Sequence, residues 1–82
     1  MPTVLRIGSL RVVIYPNDHR PAHVHVIGPE YEALFSLSCP DGSVDLRENH
    51  GFSAQEIIRI IGALTRHAAE LCEAWKEIHG NH

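Results

Sequence analysis

The chain has 82 residues, 44% of them hydrophobic and 21% charged, with a formal net charge of -3 when histidine is neutral. That composition describes one small globular domain and excludes a disordered chain. The seven basic residues are scattered singly, which leaves neither the charge footprint of a nucleic-acid binder nor a basic membrane-binding patch.

Seven histidines make the charge pH-dependent, since imidazoles in general titrate near about 6.5. Cys39 and Cys72 fall in an expected turn and helix, and no spacing pattern pairs them. A secreted chain built on disulfides would carry more cysteine at this size. No apolar run approaches the roughly 18 residues needed to span a bilayer. Arg6 and Arg11 interrupt the N-terminal apolar residues, and no cleavage-site pattern follows. The expectation is a cytoplasmic protein with no membrane partner.

Residues 3–8 and 10–15 are rich in aliphatic and β-branched side chains and meet at Gly8-Ser9, which predicts a hairpin. Pro16-Asn17-Asp18 ends the second strand, and Pro21 biases Arg20 towards an extended backbone. Residues 23–27, HVHVI, alternate strictly. This is the pattern of a strand with Val24 and Val26 on one face and His23, His25 and Ile27 on the other. A further strand over 32–37 carries Ala33, Phe35 and Leu37 on one face. Matching the apolar faces sets Val26 opposite Ala33 and Val24 opposite Phe35, with His25 near Leu34 and His23 near Ser36. Cys39-Pro40-Asp41-Gly42 reads as a turn, and residues 43–47 supply a short fifth strand.

Ser53-Ala54-Gln55-Glu56 is a capping box, and Phe52 and Ile57 are spaced as a hydrophobic staple. Ile57, Ile61, Leu64, Ala68, Leu71, Trp75 and Ile78 then recur in helical steps until Gly80. One helix over 54–79 would be about 39 Å long, against a radius of gyration of about 12 Å for such a domain. Such a helix either kinks, most easily at Gly62, or projects beyond the sheet. A projecting end bearing Leu71, Trp75 and Ile78 would need a partner, most simply a second copy, so these three are the expected homodimer interface. The expected fold is α+β: residues 1–47 form an antiparallel meander of four or five strands, and a long helix over 53–79 packs on one face. The chain is expected to be a single domain over residues 1–82.

The stretch NDHRPAHVHV, residues 17–26, concentrates chemistry. Two residues apart on a strand, His23 and His25 stand about 7 Å apart on one face. Both can reach one metal ion, with His19 or Asp18 as a third ligand and Glu30, Glu32 or His50 to complete the set. His19, His23 and His25 are therefore the candidate metal ligands, and zinc or a similar divalent ion is the cofactor they suggest. The plainer reading makes them polar strand residues that hydrogen-bond the loop onto the sheet.

Three partial likenesses fall short. His-Val-His-Val with Glu30 resembles a cupin metal motif, but the flanking glycines are missing and the chain is short for a jelly roll. It also resembles a histidine triad whose third histidine would fall at Ile27. Met1-Pro2 is similar to the start of the small tautomerases, but those open strand–helix–strand.

The whole chain resembles one family more closely. MPTVLRIG, YPNDHRPAHVHV, GFSAQEI and LCEAW occur in an order and spacing similar to the small bacterial family catalogued as domain of unknown function 4160. Ala22 stands where that family commonly has a second proline. By position, the resemblance marks Asn17, Asp18, His19, Pro21, His23 and His25, with Gly51, Phe52 and Trp75 towards the helix. It implies a cytoplasmic prokaryotic protein, often encoded beside another short gene, in an arrangement similar to toxin–antitoxin pairs.

Two functions compete. The first is an interaction component of such a two-gene module, binding a cognate small protein through a sheet edge or the helix end; Asn17, Asp18, His19, His23 and His25 are its binding candidates. The alternative is a small nuclease or phosphodiesterase, or a metal-binding protein. There His23 or His25 acts as general acid–base and Arg20 stabilises phosphate charge. The acidic balance favours the first, and the density of histidine and aspartate favours the second.

Overall fold

Alternating apolar and polar residues draw five strands into one antiparallel sheet in the computed structural model, which describes residues 3–39 and 41–80. Strands β1 (Thr3–Ile7), β2 (Leu10–Val13), β3 (His23–Ile27), β4 (Glu32–Ser38) and β5 (Ser43–His50) lie side by side in chain order. Helices α1 (Ala54–Arg66) and α2 (Ala68–His79) follow. The α+β meander is thus as read from the sequence. Met1-Pro2 and the proline of the 39–42 turn lie outside the described residues.

Register follows the apolar faces. Val24 pairs with Phe35, Val26 with Ala33, His25 with Leu34 and His23 with Ser36. On β2, Val12 pairs with Val26, which extends the same apolar face. Val12, Val24, Val26, Ala33 and Phe35 are all fully buried. Burying each larger member of this set contributes about 1.5–3 kcal/mol. In β5 the register slips: Leu34 faces Glu48 while Phe35 faces Leu46. Arg47 is the extra residue of this bulge.

The turn into α1 is held by side chains. Asn49 Nδ2 donates to the Phe52 carbonyl at 2.9 Å, and Asn49 Oδ1 accepts the Phe52 N–H at 3.0 Å. Gly51 between them has φ of 114°, and a Cβ there would run into the Tyr31 ring. Ser53 caps the helix as read, its hydroxyl accepting the Glu56 N–H while Glu56 Oε1 accepts the Ser53 N–H. Phe52 and Ile57 are buried in one apolar cluster.

The single long helix is corrected to two. The break falls at His67, whose φ of -110° and ψ of 16° leave helical geometry, and not at Gly62, which stays inside α1. One residue pair earlier, the Thr65 hydroxyl donates to the Ile61 carbonyl at 2.7 Å. Such back-bonding competes with the backbone ladder and bends helices. The molecule measures only 33 Å along its longest axis, so a straight helix of about 39 Å would overhang it.

The bend also corrects the proposed dimer interface. Trp75 is 0% exposed and Leu71 1%, and Ile78 packs partly buried against the same cluster. These three side chains complete the core of their own chain. The mismatch of length that suggested a homodimer is resolved by folding back, not by projection.

A disulfide joins Cys39, just after β4, to Cys72 on α2. The two cysteines read as unpaired in the sequence are therefore one cross-link over 33 positions. Cysteine usage consequently gives no support to a reducing compartment. No helix among the described residues is long and apolar enough to cross a membrane.

Candidate metal centre

The loop from Tyr15 to Ala22 brings one carboxylate over the first residues of β3. Asp18 N–H donates to the Tyr15 carbonyl at 3.0 Å, closing a turn through Pro16 and Asn17. In return Asp18 Oδ2 accepts the Tyr15 N–H at 3.1 Å. The carboxylate is thereby fixed by its own turn, a common use of aspartate. The loop returns through a cis peptide at Arg20-Pro21, and the Ala22 carbonyl accepts the Leu37 N–H at 2.9 Å.

Asp18, His23 and His25 converge. Their ligand atoms all lie within 4.8 Å of one another. Asp18 Oδ2 stands 3.4 Å from His23 Nε2 and 3.4 Å from His25 Nε2. The three side chains are only 13–17% exposed. His19, the third histidine expected at the metal, is exposed and outside this group. Asp18 takes that place. Glu30 and His50 are also outside it, His50 Nε2 lying 3.0 Å from Glu48 Oε1.

Hydrogen bonds at the far nitrogens orient both rings. His23 Nδ1 lies 2.9 Å from the Pro21 carbonyl oxygen, which can only accept. His25 Nδ1 lies 3.2 Å from Glu32 Oε2. Each Nδ1 thus donates outwards, and each ring turns its Nε2, the atom a metal ion would take, towards Asp18. His25 Nε2 is buried and has no hydrogen-bond partner among the described residues. Its 3.4 Å approach to Asp18 is in ion-pair range but without hydrogen-bond geometry.

A positive charge, a proton on an imidazole or a metal ion between the three groups, balances the Asp18 carboxylate. Ligand atoms about 2.1 Å from a tetrahedral ion lie about 3.4 Å apart, which is the spacing seen to Asp18. Carbonyl and carboxylate partners on the outer ring nitrogens are the usual second shell of metal-binding histidines. Two imidazoles and one carboxylate form a set that binds zinc or ferrous iron and leaves positions open for water or substrate.

Aromatic rings close one side. Tyr15 meets His25 edge-on at 4.9 Å between centroids, and His23 meets His25 at 5.4 Å. His23 also lies 5.3 Å from Trp75, which stacks on His79 at 3.9 Å. The other side opens into a cleft of about 310 Å³ lined by Asn17, Asp18, His19, Arg20, His23, Leu34 and Arg47.

The residues of this site coincide with the motif on which the family likeness rests. A family model described as Domain of unknown function (DUF4160) matches residues 10–76. The chain belongs to this family. In this DUF4160 chain the matched span covers the loop, all three converging residues and most of α2. No curated protein and no solved structure matches the chain.

Sequence reasoning left His19 or Asp18 open as the third ligand beside His23 and His25, the structure brings in Asp18, and Arg47 was missed altogether. Glu32 was a candidate ligand and instead supports His25 from behind. The register held that signal. With His25 opposite Leu34 and Ile27 opposite Glu32, Glu32 is a diagonal same-face neighbour of His25, within reach of a long side chain.

Proposed function

We propose that the protein binds one divalent metal ion through Asp18, His23 and His25, in a site of the hydrolytic kind. The observation that carries this is the meeting of two Nε2 atoms with one carboxylate oxygen at 3.4 Å. With three protein ligands, such an ion keeps a position open for water, whose deprotonation it promotes, or for a substrate oxygen that it polarises. The His23 bond to Pro21 also serves the plainer reading, in which the histidines pin the loop to the sheet, but that reading gives no use to a buried His25 Nε2 turned towards Asp18. The site accordingly favours the metal-binding or phosphodiesterase alternative over a plain interaction module.

The test is metal content and calorimetric zinc, manganese and iron(II) titration of protein purified without an affinity tag. One equivalent should bind, and Asp18→Ala or His25→Ala should abolish binding. Variants of His50 and His67, which pair with Glu48 and Glu70, should bind as wild type does. Equal losses in the control variants, or no saturable binding, would overturn the reading.

A partner protein, as in a toxin–antitoxin-like pair, is a second reading favoured by β5. This eight-residue strand is the sheet edge opposite β1 and is exposed over most of its length. Exposed edges accept an added strand from a partner. Co-expression with the product of an adjacent gene, followed by hydrogen exchange, should protect β5 amides. Unchanged exchange there would exclude this mode.

A further inference from the structure

We infer that the cleft beside Asp18 and His23 is a subsite for a phosphate group, so that the substrate of the proposed metal site is a phosphate ester. This rests on the metal reading and adds the ligand class. Two of the seven basic residues of an acidic chain, Arg20 and Arg47, come from different elements to line this one small space. Asn17 and His19 add hydrogen-bonding groups, and Leu34 supplies an apolar patch.

Arg47 stands at an irregularity of the sheet. It is the extra residue where the β4–β5 register slips between Leu34 and Phe35. Bulges re-aim side chains and recur beside functional sites. In regular register the alternation of β5 would send position 47 to the opposite face from 46 and 48. The pairs from Leu37–Val44 to Phe35–Leu46 already set position 47 on the Leu34 face, and the slip that gives Glu48 to Leu34 leaves Arg47 out of the ladder beside the cleft.

Among the described residues Asp18 is the one carboxylate that lines the cleft, and its Oδ2 already faces the two imidazoles. A divalent ion there more than neutralises it, leaving a wall of net positive charge. Guanidinium groups bind phosphate through paired N–H donors, and an adjacent metal takes a further phosphate oxygen. A volume of about 310 Å³ is at the small end for ligand sites. It suits one phosphoryl group with a small attached portion, not a nucleic-acid duplex.

The experiment uses manganese-loaded protein and inorganic phosphate, read by broadening of the phosphorus NMR resonance, with metal affinity measured separately. Phosphate should broaden saturably, and Arg47→Ala should weaken it at least about tenfold while metal binding is unchanged. Arg47→Lys, which keeps charge without the fork, should fall between. A mononucleotide and a dinucleoside phosphodiester, added as competitors, distinguish monoester from diester substrates. Normal metal binding without phosphate broadening would overturn the subsite alone. Equally tight binding of acetate would overturn the phosphate assignment, and loss of metal binding in wild type would remove the underlying site instead.

Discussion

The His23 imidazole lies 5.3 Å, centroid to centroid, from the Trp75 indole, which joins the candidate metal centre directly to the core. Trp75 is 0% exposed, belongs to the helix that the disulfide anchors, and stacks on His79. The indole thus backs one ligand ring while the Pro21 carbonyl holds that ring's Nδ1. Packing and site geometry share this residue.

Trp75→Ala should therefore cost about 3–5 kcal/mol, the range for emptying a large aromatic site, and should also weaken metal binding. Trp75→Phe should recover most of both. Urea unfolding beside zinc titration measures the two effects. Were Trp75 an intermolecular anchor, the alanine variant would keep its stability and only dissociate, which sedimentation would reveal.

Glu32→Gln isolates the outer bond to His25. The amide keeps the size but loses the charge that raises the basicity of the ring, so metal affinity should fall about 10–100-fold. Folding should be little affected, because Glu32 is 49% exposed. A variant with wild-type affinity would show that the 3.2 Å contact has no influence on the metal.

The fold was legible where side chains carry a period. Strict alternation in 23–27 and apolar matching to 32–37 determine the register, and Ser53 with Glu56 marks the start of α1. The choice of Asp18 over His19 had no such signal, because loop residues lack a period and the Asp18 bond to Tyr15 N–H decides the matter. Arg47 carried no signal, because the slip that takes it out of the ladder is a one-residue event invisible to an alternation count. The break at His67 was masked because its N–H and carbonyl still bond to Leu64 and Leu71, so the helical stripe runs through it. Pairing Cys39 with Cys72 required knowing that α2 folds back.

The cross-link gives a stability prediction. It closes a loop of 33 positions, for which chain entropy estimates about 3–4 kcal/mol. Reduction should lower the urea midpoint accordingly. It should also loosen α2 and, through Trp75, broaden the His23 ring resonances. A midpoint that is the same with and without reductant would show that core packing alone holds α2.

The capping box supplies the pH prediction. The Ser53 backbone N–H, and then the Ser53 side chain, hold the Glu56 carboxyl below its ordinary value of 4.5. A value depressed by folding means that the ionised carboxylate stabilises the native state. This contribution is complete above the unfolded value and is lost as pH falls through the lower, folded one. Glu56→Gln keeps an oxygen for the Ser53 N–H but has no charge to titrate. Melting temperatures of both proteins from about pH 3 to about pH 7 isolate the effect. Wild type should hold a constant advantage at the neutral end. That advantage should shrink as the pH drops through and below 4.5, while the changes common to both proteins cancel. An advantage undiminished at the acid end would mean that Glu56 acts by shape and hydrogen bonding alone, and the charge would have no part in capping α1.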